Sequence, residues 1–305
     1  MKKIYYILIS IVALSFVACT EDINLTIVGS ERKLVVEGRI ENGNVAEVLI
    51  TRNIPISKSN DLSDVLVTDA KVYVSDGVIT DTLALFIDTL SNDTTSSLPF
   101  VYFEDKTFRV YYKGSKIVGA VGNTYFLTIE HEGKTYTSST LIPTPVAMDS
   151  IWWKPEPPSD TAGFAWAHLT EPAGIGNAYI WYAKRPTKDL RYLYASVFDD
   201  KFIDGKSFDT YFIKPDDPIL PKPDTEEFRA TRFMYKYSDT VYVKFCSIDY
   251  QVFRFYLTLE TAVQSNGNPF ASPVAVPTNI EGDNVIGVWG GFGVTRDTIM
   301  PTVLP

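Results

Sequence analysis

Hydrophobic and polar positions alternate with a period of two along most of this chain. In "AKVYVSD" (70–76), Val72 and Val74 lie on one face and Lys71, Tyr73 and Ser75 on the other, the pattern of a half-buried strand. "KLVVEGRI" (33–40) sets Val36, Gly38 and Ile40 against Glu37 and Arg39. "AEVLITRNI" (46–54) returns after Asn42-Gly43, a pair suited to a tight hairpin turn. In "NTYFLTIEHEGKTYTSSTLIP" (123–143), Tyr125, Leu127 and Ile129 alternate with Phe126, Thr128 and Glu130, and Glu132-Gly133 turns the chain back toward Tyr136. "VITDTLALFID" (78–88) and "TFRVYYKG" (107–114) add strands, while 55–65 and 91–97 are polar loops. Short strands with turn chemistry between them predict an antiparallel sandwich.

The pattern breaks at "LIPTPVAMDSI" (141–151), whose two prolines suit a junction near residue 145. Strand-like runs resume with "GFAWAHLTEP", "NAYIWYAKR" and "RYLYASVFDD". "NAYIWYAK" is apolar on both faces, which predicts a central strand in a packed sheet. "SIDYQVFRFYLTLETAVQ" (247–264) is the stretch with helical spacing, placing Tyr250, Phe253, Leu257 and Thr261 on one face. The expected fold is all-β, with two tandem β-sandwich domains. Residues 33–145 form an immunoglobulin-like or carboxypeptidase-regulatory-like sandwich, and 146–305 form a second sandwich elaborated by a short helix.

The first residues follow a different rule. Lys2 and Lys3 precede an uncharged, largely apolar run, Ile4 to Ala18. That run is too short to span a bilayer and has the layout of a secretory signal peptide, 1–18. The order signal, apolar core, small residue, cysteine resembles a bacterial lipobox. In that reading Cys19 is the first mature residue and carries acyl chains, which hold the protein on a membrane at ~0.8 kcal/mol per buried methylene. Residues 19–32 are then a tether. Glu21 and Asp22 resemble the export signal that sends lipoproteins of Bacteroidota to the outside of the outer membrane.

Charge and candidate chemistry narrow the function. The formal net charge of −9 argues against a nucleic-acid partner, which needs clustered Lys and Arg. Of two cysteines, Cys19 is taken by lipid, so no intrachain disulfide is available. Cys246, within "VYVKFCSIDY", is expected to be a buried, inert thiol. His131 and His168 are the only histidines and do not supply a zinc site, and no Gly-x-Ser-x-Gly elbow occurs, so both are expected to be surface or structural. In "FDDKFIDGKSFD" (198–209), Asp199, Asp200 and Asp204 crowd around Gly205. Calcium is one use for such carboxylates, but the spacing departs from the calcium-loop pattern, and a solvated turn is the expectation. Trp152 and Trp153 are adjacent, so one faces the core and the other faces away. Trp153, with Trp289 and Phe292 from the glycine-rich "GVWGGFG" (287–293), is the candidate ligand or partner contact. No catalytic residue and no cofactor are expected.

Six stretches in order, "KLVVEGRIENG", "TDAKVYVSDG", "GNTYFLTIEHEGKTYTSSTLIPTPVAMDSI", "TEPAGIGNAYIWYAKR", "FDDKFIDGKSFD" and "NGNPFASPVAVPTNIEGDNVIGVWGGFG", together resemble the Bacteroidota lipoproteins grouped as domain of unknown function 4249. The resemblance implies an outer-membrane lipoprotein, often encoded beside a TonB-dependent receptor, with no assigned catalytic residues. The expected function is therefore non-enzymatic: a lipid-anchored, surface-exposed accessory of such a receptor in ligand capture or uptake. A surface adhesin or structural envelope protein is the alternative from another class. A glycan or peptide hydrolase is the third.

Overall fold

The computed structural model describes residues 32–53, 62–88, 101–103, 106–157, 159–217, 222–265, 272 and 274–301. The signal, lipidation and export readings at Cys19, Glu21 and Asp22 fall outside these residues. The elements run β1 (Leu34–Glu41), β2 (Val45–Arg52), α1 (Leu62–Val65), β3 (Lys71–Ser75), β4 (Thr80–Asp88), β5 (Val101–Phe103), β6 (Lys106–Val118), β7 (Thr124–His131) and β8 (Lys134–Leu141). They continue with β9 (Met148–Pro155), β10 (Ala162–Thr170), β11 (Ala178–Lys184), β12 (Leu193–Asp199), β13 (Ser207–Phe212), α2 (Glu226–Thr231), β14 (Tyr235–Lys236), β15 (Val241–Ile248), α3 (Tyr250–Ser265) and β16 (Val285–Ile299). The all-β class is borne out. The period-two runs named above are strands, and the β7–β8 turn places Glu132 and Gly133 at φ 49° and 73°, the left-handed pair that matches strand twist.

Hydrogen bonding draws the sheets differently from the expected two-part division. One twelve-stranded sheet has the order β12-β11-β15-β16-β1-β2-β6-β4-β3-β7-β8, with β5 on β6. The first strand, β1, pairs in parallel with the last, β16, from Leu34↔Val285 to Glu41↔Phe292. Strands from both sides of residue 145 thus share a ladder, and Arg32–Pro305 is one compact unit. The prolines at 143 and 145 carry the chain between strands without separating two sheets.

Three cores follow from this topology. Val36 and Ile40 of β1, Val48 and Ile50 of β2 and Trp289 of β16 share a core with Val72, Leu127, Ile129 and Tyr136 of β3, β7 and β8. The far end of the long sheet therefore folds back over its middle. A second, four-stranded sheet (β13-β10-β14, with β9 on β10) packs Trp153, Ala165, Ala167 and Phe212 against Tyr179, Val243 and Phe245 of the long sheet. On the opposite face of β11, β15 and β16, α3 contributes Val252, Phe253 and Tyr256. Asp249 caps α3, its Oδ1 accepting the N–H groups of Gln251 at 2.8 Å and Val252 at 2.9 Å. The helix is where its spacing placed it, but its inward face is rotated: Tyr250 and Leu257 are exposed. Among the described residues no helix is long and apolar enough to cross a membrane.

Candidate functional site

The three aromatic residues singled out for contact are core residues. Trp153 is 8 % exposed, Trp289 0 % and Phe292 1 %. The glycines beside Trp289 and Phe292 are not a flexible loop. They let β16 run against other backbone: a Cβ on Gly291 would lie 2.2 Å from the Leu141 carbonyl. Trp289 lies over Gly38, where a Cβ would meet its ring at 2.7 Å, and its Nε1 donates to the Tyr125 carbonyl at 3.0 Å.

The outward residue of the tryptophan pair is Trp152. Strand parity carries this along the small sheet. In register, Trp152 pairs with Trp166 and Lys154 with Phe164, while Trp166 also pairs with Tyr211 and His168 with Asp209. Ala165, Ala167, Trp153 and Phe212 are the opposite parity and fill the core. The outer face thus carries a row of rings across three strands. Trp152 and Trp166 lie 6.4 Å apart at 17°, Trp166 and Tyr211 at 5.3 Å, and Phe164 and Tyr211 at 4.9 Å. Lys154 Nζ stands 5.7 Å from the Trp166 ring centre. Tyr211 is 46 % exposed, and the other three rings are partly exposed.

Beside this row runs a polar one. His168 Nδ1 and Asp209 Oδ1 are 2.7 Å apart. Thr170 Oγ1 donates to Asp149 Oδ2 at 2.9 Å and sits 3.0 Å from Ser207 Oγ. Ser150 is the cross-strand partner of His168, so a serine, a histidine and an aspartate share one line. No hydrogen bond joins Ser150 to the imidazole among the described residues, so the serine lacks the base contact that activates a nucleophile. His168 is a surface residue, as expected. His131 is buried and structural, its Nε2 2.7 Å from Arg52 Nη2.

The acidic segment folds into a stitched turn. Asp200 and Asp204 meet Glu171, which sequence spacing did not suggest, with one oxygen of each within 4.8 Å of the others. Asp199 points elsewhere and pairs with Lys201 at 2.9 Å. Asp200 Oδ2 accepts the N–H groups of Gly176 and Asn177, each at 2.8 Å. Asp204 Oδ1 accepts Gly174 N–H at 2.6 Å, and Glu171 Oε2 accepts Gly205 N–H at 2.7 Å. Glu171 Oε1 accepts the Asn177 side chain and the Tyr179 hydroxyl. Backbone N–H groups of two loops thus bind one oxygen of each of these carboxylates.

The long sheet buries a charged cluster that alternation placed outside. Glu41 receives Lys244 Nζ at 2.7 Å and Arg296 Nη2 at 2.7 Å, and Arg39 Nη2 lies 2.8 Å from its Oε1. Burial pushes the Glu41 carboxyl up, but the three cations outweigh it and hold the group at about 2. Arg39 is sandwiched, its guanidinium carbon 4.6 Å from the Phe292 ring and 5.2 Å from Tyr182. A cavity of about 60 Å³ lies beside Arg39, Glu41, Asn44, Glu47 and Lys113, the size for ordered water. Cys246 lies below, fully buried, its thiol pushed up to about 12 by burial. Three cations converge on Glu41, while Arg39 Nε is buried with no hydrogen-bond partner among the described residues.

No curated protein matches the chain. The model of one family, described as a domain of unknown function (DUF4249), matches residues 20–298. With nearly the whole chain covered, this protein belongs to the DUF4249 family.

Proposed function

We propose that this protein is a non-enzymatic, lipid-anchored accessory at the outer-membrane surface that captures a ligand on its aromatic face and works beside a TonB-dependent receptor. The observation that carries ligand capture is the row Trp152, Trp166 and Tyr211, held on the solvent side of a sheet whose other side is core. Aromatic side chains grouped on a surface mark interaction sites. The anchor rests on the lipobox at Cys19, the outward orientation on Glu21 and Asp22, and the receptor on the family resemblance.

The test is co-purification of full-length, C-terminally tagged protein from detergent-solubilised outer membranes, with native mass spectrometry of the eluate. A stoichiometric β-barrel receptor is the expected result. A lone lipoprotein, in detergent that keeps other receptor complexes intact, overturns the accessory role and favours the adhesin. Cys19→Ser is expected to abolish acyl labelling and release the protein from the membrane; retention of the label on that variant overturns the anchor.

A further inference from the structure

We infer that the outer face of the small sheet binds a neutral polysaccharide, an inference that rests on the ligand-capture reading above. The face combines two chemistries in adjacent rows. The first is aromatic, with Trp152, Trp166 and Tyr211 spaced 6.4 and 5.3 Å apart across β9, β10 and β13. Ring faces carry partial negative charge and attract the weakly positive C–H groups that a pyranose presents on one side. The second row consists of hydroxyl, imidazole and carboxylate groups, Thr170, His168 and Asp209. Each has lone pairs or protons left for hydroxyl groups.

Charge selects the ligand class. Two carboxylates line the polar row, Asp209 2.7 Å from His168 Nδ1 and Asp149 accepting the Thr170 hydroxyl, and Lys154 is turned onto the Trp166 ring. The carboxylates repel an acidic polymer and accept hydrogen bonds from neutral hydroxyls, while the Lys154 ammonium already stands by the Trp166 ring. A chain with apolar ring faces and a rim of neutral hydroxyls fits both rows together. A sheet face is open at its ends, and β13 ends one side of its sheet, so an extended chain passes across without needing a terminus.

The experiment uses full-length protein in detergent micelles, electrophoresed natively through gels containing soluble β-glucan, mannan, galactan or xylan. Tryptophan fluorescence titration gives the affinity. At least one polysaccharide is expected to retard the wild type and shift its emission. Trp152→Ala is expected to weaken binding about ten-fold, equivalent to ~1.4 kcal/mol, and Trp152→Phe to restore part of it. Tyr211→Ala, at the exposed edge, provides a second variant should Trp152→Ala lose its cooperative melting transition. Absence of retardation by all four polysaccharides overturns the inference, as does undiminished binding by a folded variant. Receptor co-purification is read separately: a receptor without glycan binding rejects this inference and leaves the accessory role standing, and the converse rejects only the accessory role.

Discussion

The two sheets invert the usual rule in opposite ways. The long sheet hides charge: Arg39 and Glu41 of β1 and Lys244 of β15 are buried. The small sheet carries aromatic rings on its outer face, Tyr211 exposed and Trp152, Trp166 and Phe164 partly so. In the long sheet three cations share the Glu41 carboxylate and two rings enclose Arg39. Buried charge is thus held by partners inside the fold, whereas the aromatic row is left on the outer face of its sheet.

Substitutions sharpen this contrast, and the largest effect belongs to the buried charge. Glu41→Ala removes the buried carboxylate shared by Arg39, Lys244 and Arg296 and is expected to cost about 3–5 kcal/mol, read from urea unfolding at neutral pH. The same carboxyl has a pH signature. Its folded value, about 2, lies below the ordinary 4.5, so its contribution is complete above pH 4.5 and disappears as pH falls toward 2. Glu41→Gln should lose that part of the acid transition; an unchanged acid limb would show the cluster to be energetically idle.

Trp153→Ala empties a core position and is expected to cost about 3–5 kcal/mol. Trp152→Ala, one residue away, removes a cross-strand surface pair and should cost under about 1 kcal/mol. Equal destabilisation by the two would erase the distinction between the faces of the small sheet. Asp200→Ala deprives two backbone N–H groups of their acceptor, at about 1–3 kcal/mol. Its wild-type melting curves in calcium and in chelator are expected to coincide; a calcium-dependent rise would make the acidic turn a metal site.

A pH-dependent effect concerns Glu260 on α3, whose Oε1 is buried without a hydrogen-bond partner among the described residues. Burial raises its carboxyl to about 7, against which the Val197 N–H contact works only in part. A raised folded value means that stability present below pH 4.5 is lost as pH rises through 7. Glu260→Gln is expected to raise the melting temperature at pH 8 and leave it nearly unchanged at pH 4.5. A gain of equal size at both pH values would locate the effect in packing instead.

Local rules were legible from residue order because they involve neighbours along the chain. Alternation placed β1, β2, β3, β7 and β8, turn residues placed Gly43 and the Glu132-Gly133 reversal, and helical spacing placed α3. Cys246 was recognisable as buried from the apolar strand around it. The same strand logic required one of Trp152 and Trp153 to face outward. It did not say which, because parity becomes inside or outside only when a second layer arrives, here β11 and β15 on the Trp153 side.

The chain by itself determined an all-β body, its turns, one helix and membership of the DUF4249 family. Only the tertiary structure decided that β1 closes against β16, that Glu41 meets Lys244 across 203 residues and Arg296 across 255, and that Glu171 completes the acidic turn. It also decided that Trp289 and Phe292 are core while Trp152 is surface. The physical reason is common to all of these: alternation specifies two faces for each strand, whereas burial depends on which distant strand, helix or solvent covers each face.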